Sequence, residues 1–244
     1  LCNLAKMLGY QVWIIDDREE FANEERFPQA DHVYCMGFEE AFDKVIFPES
    51  AWYVIVTRGH QNDYECLKKV MERKSSYVGM IGSKGKVRTT LERLKKDGVT
   101  KEQQEQIHAP IGLPIGANTP EEITVSIMAE MIQEKSKLGY TDFPKEMIEW
   151  LLNKKQPMVM TTIVGKKGSA PRGVGARMLV VADGTMTGTI GGGAIEHLVL
   201  QKACIMLEEE KEFALEAYDL TAKAAASIGM ICGGYVEVLF EKVI

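Results

Sequence analysis

The sequence predicts an α/β fold in which a Rossmann-like domain with a parallel sheet precedes a smaller α+β domain. In the first half, short apolar runs alternate with helix-like stretches, which is typical of a parallel sheet covered by helices on both faces. The second half is rich in strand-like segments and has one long helix-like stretch. Because residues 139–145 contain glycine and proline without periodicity, the predicted domains are residues 1–140 and 146–244.

Each element of the first domain follows from local pattern. The strand-like runs are Val12–Ile15, His32–Tyr34, Trp52–Thr57 and Tyr77–Ile81, and the helix-like stretches lie near residues 39–45, 63–73, 86–96 and 120–135. The N-terminus of the last helix is well defined by the sequence, since Thr119 can cap it, Pro120 suits its first position and Glu122 completes a capping box. In the second domain we expect a helix over residues 146–153, a strand over 176–181 and a helix over 194–210.

The start of the chain suggests that one strand of the Rossmann-like sheet is missing. A helix-like segment ending at Gly9 leads directly into the Val12 strand, and Asp16 then matches the acidic residue after the second strand of such folds. The first strand would lie between the Val12 and Trp52 strands, followed by a glycine-rich turn. We therefore expect roughly 10 to 20 further residues ahead of Leu1 to supply that strand and turn.

Composition excludes several classes of function. The net charge is −6 and the basic residues are dispersed, which argues against a nucleic-acid partner. No apolar run approaches the roughly 20 residues that span a bilayer, so we expect no membrane segment. The five cysteines are widely spaced without a Cys-x-x-Cys pair, which favours reduced thiols and a cytoplasmic location.

The segment most informative about function is Gly191-Gly192-Gly193, which separates a strand-like run from a helix. Glycines at such a junction let the backbone approach a ligand closely and leave amide hydrogens available for an anion. The pattern is neither a Walker A motif nor a Gly-x-Gly-x-x-Gly turn. A second glycine pair, Gly233-Gly234, follows Cys232 near the end of the chain.

These segments, together with the loop Gly168-Ser169-Ala170-Pro171-Arg172, resemble the XdhC/CoxI family of accessory proteins that handle the molybdenum cofactor. The first domain is similar to the Rossmann-type domain of the same family. Its matching segments are Asp16-Asp17-Arg18, Glu25-Arg26-Phe27-Pro28, Thr57-Arg58-Gly59-His60, Tyr77 to Ser83, Ala109 to Leu113 and Thr119 to Ile123. In many family members the Rossmann-type domain comes second, whereas in this chain it comes first.

The resemblance implies roles for particular residues. Cys232 would contact sulfur or molybdenum, and the pterin part of the cofactor (molybdopterin) would be bound by residues around the glycines. The candidate residues for cofactor binding are Ser169, Arg172, Gly191, Gly192, Gly193, Glu196, Gly233 and Gly234 in the second domain and Asp16, His60, Gly82 and Ser83 in the first. Free amides beside Cys232 would favour its thiolate, a soft ligand.

Structural interpretations of the same residues stay open. Cys232 could be an inert buried thiol, Arg172 a solvated loop arginine, and Ser169 or Asp16 an ordinary turn residue. Glu196 stands at the start of a helix, where the helix dipole favours a carboxylate for structural reasons alone. His60, by contrast, lies just past a strand end, at the edge where open α/β sheets bind ligands.

Three functions are compatible with these residues. The first is a maturation factor that binds the molybdenum cofactor, assists its sulfuration with a cysteine desulfurase and delivers it to a hydroxylase of the xanthine dehydrogenase type. Such a factor would be more a cofactor chaperone than a turnover enzyme, and we expect a homodimer. The alternatives are an NAD(P)-dependent oxidoreductase that uses the Rossmann-like domain and a purely structural scaffold.

Overall fold

The computed structural model describes residues 1–138, 143–153, 156–220 and 234–243, without the side chains of His60 and Ala194. The chain divides into an N-terminal unit, Leu1–Leu138, and a C-terminal unit, Gly139–Ile244. The fold class is the predicted one, because the first unit contains parallel strands between helices and the second contains an antiparallel sheet. Among the described residues, no helix is both long and apolar enough to cross a bilayer.

The N-terminal unit alternates helices and strands. In chain order its elements are α1 (Cys2–Met7), β1 (Trp13–Asp16), β2 (His32–Cys35), α2 (Phe38–Lys44), β3 (Trp52–Ile55), α3 (His60–Met71), β4 (Tyr77–Met80), α4 (Lys84–Lys96), α5 (Lys101–Gln104), β5 (Ile107–His108) and α6 (Pro120–Lys137). The predicted capping box of α6 is confirmed, because Thr119 Oγ1 accepts from the Glu122 amide while the Glu122 carboxylate accepts from the Thr119 amide.

The strands of this unit form two parallel ladders. β1 pairs with β2, and β3, β4 and β5 pair in that order. β1 and β3 are not hydrogen-bonded to each other in the described part of the chain, which agrees with the expectation that these two strands are not sheet neighbours. Side chains still connect the two ladders, since Phe47 contacts both Trp13 of β1 and Tyr53 of β3.

Helices cover both faces of β4, which explains why all four of its residues are buried. Adjacent residues point to opposite faces: Tyr77 packs in a cluster with residues of α1 and α6, and Val78 packs in a cluster with residues of α2, α3 and α4. The continuous apolar run that predicted this strand is typical of a strand buried on both sides.

In the described residues, the C-terminal unit is an antiparallel sheet with one helix on each face. Its elements are α7 (Lys145–Asn153), β6 (Met158–Lys167), β7 (Arg177–Val181), β8 (Met186–Gly188), α8 (Gly193–Glu208), β9 (Phe213–Asp219) and β10 (Tyr235–Val243). The strand order is β8-β7-β6-β10-β9.

Helical spacing decides which side of α8 is buried. Ile195, Val199, Ala203 and Met206 recur at intervals of three or four residues and pack on Met178, Val180, Val236, Val238 and Phe240 of the sheet. On the opposite face, Met147 and Trp150 of α7 pack against Met158, Leu179 and Val181. The loop after β6 and the turn before α8 are thus attached to a well-packed layer.

Candidate functional site

Two of the predicted motifs of the C-terminal unit lie against each other. The first is the 168–172 loop, which follows β6, and the second is the glycine turn, residues 189–193, which leads into α8. A Cβ atom placed on Gly191 would lie 2.6 Å from Pro171 Cβ and 3.3 Å from the Arg172 amide nitrogen. Gly191 also has a φ of +130°, a conformation that side chains disfavour. Glycine at position 191 therefore lets the turn pack directly on the loop.

The start of β10 contacts the same loop from another direction. Gly234 is buried, and a Cβ atom there would collide with the carbonyl group of Ser169. The Gly234 carbonyl in turn accepts a hydrogen bond from the Leu220 amide at 2.7 Å. The backbone of β10 thus supports the 168–172 loop, on which Ser169 and Arg172 are both exposed. Cys232 and Gly233 lie outside the described residues.

A carboxylate of the protein itself occupies the inside of the glycine turn. Glu196 Oε1 accepts hydrogen bonds from the amides of Gly192 at 2.9 Å, Ile190 at 3.1 Å and Gly191 at 3.3 Å, and also from the Thr189 hydroxyl. The amides of Gly191 and Gly192, predicted to be available for a ligand anion, are therefore engaged by an internal anion, in the manner of other backbone nests.

This arrangement keeps Glu196 ionised. Its partial burial would raise its pKa, but the hydrogen bonds from Thr189 and from the amides of Gly192, Ile190 and Gly191 outweigh that effect. The pKa of Glu196 consequently lies below its ordinary value. The carboxylate thereby fixes the shape of the turn at the start of α8.

The outer side of the glycine turn is not covered by any of the described residues. None of their atoms lies within 4 Å of the position that a Cβ on Gly192 would take, and Gly192 has a φ of +74°. The exposed cationic residues Lys166, Lys167 and Arg172 belong to the adjoining end of β6 and the loop. Among these, Lys166 donates from Nζ to the Ala170 carbonyl at 3.3 Å. The surface beside the turn is thus both sterically accessible and basic.

In the N-terminal unit, Asp16 is bound by an arginine two residues away. Arg18 donates from Nε at 2.8 Å and from Nη2 at 2.9 Å to the two oxygens of Asp16. This bidentate pair lowers the pKa of Asp16. The Arg18 guanidinium also stacks on the Phe21 ring, 3.8 Å from its centroid. A ligand hydroxyl that bound to Asp16 would therefore have to share the carboxylate of Asp16 with Arg18.

The other candidates of this unit lie at the carboxyl ends of β3 and β4. His60 is the first residue of α3, and its side chain lies outside the described atoms. Ser83 caps α4 by accepting from the Lys86 amide at 3.3 Å, and the Cβ position of Gly82 lies 3.0 Å from Lys86 Cδ. Gly82 and Ser83 are therefore placed around the first turn of α4.

The ion pair between Lys86 and Asp63 was not predicted from the sequence. Asp63 has no solvent exposure, its Oδ1 accepts from the Thr57 hydroxyl at 2.7 Å, and its other oxygen pairs with Lys86 Nζ. A usable signal existed, since Asp63 is the fourth residue of α3 and Lys86 the third residue of α4, and these helices follow the neighbouring parallel strands β3 and β4. First turns of this kind meet at the same sheet edge.

Clustered metal ligands are absent from the described part of the chain. Its residues contain no group of three or more His, Cys, Asp and Glu side chains that could hold a metal ion. The metal contact predicted for Cys232 falls outside that part of the chain and stays a prediction.

Comparison with known proteins agrees with the fold of both units. Residues 1–131 match the XdhC Rossmann domain, and residues 151–219 match the XdhC and CoxI family. The order of the two matches is the one expected from the sequence motifs.

Individual relatives match about half of the chain. A protein of Escherichia coli K12 named YqeB is 35% identical over 136 residues, which cover 54% of this chain and 24% of YqeB. A Bacillus subtilis 168 protein, named as a probable subunit of xanthine dehydrogenase, is 30% identical over 140 residues, covering 57% of this chain and 40% of that protein. The chain thus spans well under half the length of these relatives.

A solved structure supports the same relationship. It is described as a xanthine dehydrogenase from Bacillus halodurans, and it superimposes with a TM-score of 0.51 at 26% identity, covering 59% of this chain and 40% of that one. Because the match to the XdhC Rossmann domain alone extends over more than half of the 244 residues, the chain belongs to the XdhC family.

Proposed function

We propose that this protein is an accessory factor for a molybdenum hydroxylase of the xanthine dehydrogenase type. Membership of the XdhC family and the relatives whose names refer to xanthine dehydrogenase support this role. In the full proposal, the C-terminal unit binds the molybdenum cofactor, a cysteine desulfurase supplies sulfur to it, and the loaded cofactor passes to the hydroxylase.

The observation that carries the proposal is the contact among three separate segments. Gly191 of the glycine turn packs on Pro171 of the 168–172 loop, and Gly234 of the β10 start packs on Ser169 of the same loop. The resemblance to the XdhC/CoxI family had marked all three segments as candidate cofactor-binding motifs. Their contact in one unit is what a single binding site requires, and at both positions glycine is the residue type that permits it.

The described residues suit the phosphate end of a pterin cofactor. Arg172 offers a planar fork of donors for a phosphate, and the Ser169 hydroxyl is exposed on the same loop. The open side of Gly192 leaves room for close backbone approach. Because Glu196 engages the amides of the turn, we assign phosphate binding to the basic loop rather than to those amides.

The molybdenum cofactor, when bound, would supply the metal centre to which sulfur is added. Glu196 would hold the glycine turn in shape, Arg172 would bind phosphate, and Cys232 stays our candidate for a soft thiolate contact. The partner desulfurase and hydroxylase are proposed on the same basis.

Cofactor binding by purified protein tests this proposal. The cofactor, released from a molybdenum enzyme under anaerobic conditions, is titrated into the parent protein, Arg172→Ala and Lys145→Gln. The last variant is a matched loss of charge, because Lys145 is an exposed residue of α7 in the same unit. Loss of a charge-assisted bond worth about 1.5 to 3 kcal/mol weakens affinity roughly tenfold or more in Arg172→Ala. Lys145→Gln should bind as the parent does.

A parallel assay separates the alternative function. An NAD(P)-dependent oxidoreductase would turn over the nucleotide with a small substrate, depend on Asp16 and His60, and ignore the Arg172→Ala change. Turnover without cofactor binding by the parent protein would refute the accessory role and support that enzyme.

A further inference from the structure

A cavity lies between α3 and α4 of the N-terminal unit, and its lining includes none of the residues used in the proposed function. Its volume is about 340 Å³, which falls within the range of small-molecule sites. Gln61 and Tyr64 of α3 and Gly85, Lys86, Thr89 and Arg93 of α4 contribute to its walls. Among the described residues, the charged side chains that line it are both cationic.

A buried carboxylate fixes the position of the Lys86 side chain. Its side chain is 14% exposed and pairs with the fully buried Asp63, which also accepts from Thr57. An ammonium group fixed by a buried carboxylate loses little conformational freedom when it meets a ligand. The Lys86 side chain is therefore fixed in position in the wall of the cavity.

Arg93 provides the second cation, seven residues further along the same helix. Its Cζ lies 3.5 Å from the centroid of the Tyr64 ring, and its Nη1 donates to Gln61 Oε1 at 2.9 Å. These contacts orient the guanidinium without neutralising it. Seven residues correspond to about two turns, or about 10 Å along the axis, of an α-helix. Lys86 and Arg93 therefore lie on one face of α4, with Thr89 between them.

The acidic groups nearby do not remove this positive character. Asp63 balances Lys86 but is itself fully buried. Glu65 accepts from Gln61 Nε2 at 2.6 Å, and Asp97 accepts from the Tyr64 hydroxyl and lies 4.0 Å from Lys68. Neither Glu65 nor Asp97 lines the cavity. The charge that a ligand would meet is thus positive.

We propose that the α3–α4 cavity binds a small molecule carrying a diphosphate, which contacts Lys86 at one end and Arg93 at the other. The two cationic residues stand seven positions apart on one face of α4, and two cations suit an anion with more than one phosphate group better than a single phosphate. Gln61 and the Thr89 hydroxyl, which donates to the Gly85 carbonyl at 3.2 Å, supply further polar contacts. The diphosphate could belong to a nucleotide or be free pyrophosphate.

Isothermal titration of the full chain with pyrophosphate and with ADP tests the proposal. The variants are Arg93→Gln, which removes one cation, and Gly85→Glu, which adds a carboxylate. The nearest atom to a Cβ on Gly85 is Ser83 Oγ at 4.0 Å, so this position accepts a side chain without a clash. Neither variant disturbs the buried Asp63–Lys86 pair. Gly85→Gln is the neutral control of similar size, and Arg88→Gln removes a charge of α4 outside this cavity.

We expect saturable binding by the parent protein and at least tenfold weaker binding by Arg93→Gln and Gly85→Glu, with Gly85→Gln and Arg88→Gln within about threefold of the parent. Tighter binding of ADP than of pyrophosphate would support a nucleotide as the source of the diphosphate, and equal binding would support the diphosphate itself. Absence of saturable binding of both probes to the parent, or equal weakening by Arg88→Gln and Arg93→Gln, would overturn the proposal.

Discussion

At the scale of single residues, two carboxylates have partners that define their roles. Glu196 accepts from the amides of the glycine turn, and Asp63 balances Lys86 beneath the sheet edge. Both groups stand near the start of a helix, where the dipole adds to their stabilisation. The two carboxylates differ in solvent exposure, since Asp63 is inaccessible to solvent and Glu196 is partly exposed.

Replacing Glu196 with Ala should destabilise the C-terminal unit by about 2 kcal/mol, because several donors lose a charged acceptor. Urea unfolding at pH 7 measures the change, and Glu208→Ala, at an exposed position of the same helix, should stay within about 0.5 kcal/mol of the parent. An equal effect of both variants would contradict a specific role for Glu196.

The same carboxylate predicts a pH dependence. Since the pKa of Glu196 is lower in the folded protein than its ordinary value, its contribution is fully present above the pKa of the unfolded chain, about 4.3. The contribution is lost as pH falls through the folded pKa. The stability difference between the parent protein and Glu196→Ala should therefore shrink as unfolding is measured from pH 6 towards pH 3. A constant difference over this range would count against the hydrogen-bonded carboxylate.

For Asp63, removal leaves a largely buried ammonium group without its partner. We expect Asp63→Ala to cost about 3 to 5 kcal/mol of unfolding free energy. Lys44→Ala, which breaks the exposed Glu40–Lys44 pair on α2, should cost less than about 1 kcal/mol. Comparable effects in the two variants would show that the buried pair is not a major contributor.

At the scale of elements, the fit between β10 and the 168–172 loop determines the shape of the candidate cofactor site. Gly234 accommodates the Ser169 carbonyl, and Gly191 accommodates Pro171. The loop is therefore fixed on two sides by positions that cannot hold a side chain without movement. Its exposed residues, Ser169 and Arg172, depend on that fit for their placement.

Gly234→Ala tests this dependence. The added methyl group should displace the loop, lower stability by about 1 to 3 kcal/mol and weaken cofactor binding. Gly173→Ala is the control, because no atom of the described residues lies within 4 Å of its Cβ position and its φ is not positive. Equal behaviour of the two variants in unfolding and cofactor titration would refute the role assigned to the contact.

At the scale of the whole molecule, sequence patterns predicted the two-part α/β and α+β organisation because apolar periodicity is local. The predicted first residue of β3 agrees with the structure. The last residue of β3 and both ends of α8 differ from the predicted bounds by one or two residues. The short elements α5 and β5 were not predicted, because segments of four and two residues are too short to show a period.

The details of the candidate sites were less predictable. The glycine triplet, the 168–172 loop and the Cys-Gly-Gly segment could be selected from residue type, but the contacts of Gly191 and Gly234 with the loop depend on how distant strands pair. Nothing in the sequence shows that the Glu196 side chain folds back onto the amides before it. The Asp63–Lys86 pair joins two helices, so predicting it requires combining their positions in the first turns of α3 and α4 with the parallel pairing of β3 and β4.

The most direct test of the account is the cofactor content of the full chain purified from a host that makes the molybdenum cofactor. We expect molybdenum and pterin to copurify with the parent protein and with Lys145→Gln, and we expect Arg172→Ala and Gly234→Ala to retain at most about a tenth of the parent's content after equal washing. We also expect no NAD(P)H turnover. A parent protein free of pterin, or equal pterin content in all four proteins, would contradict the assignment of the cofactor site to the C-terminal unit.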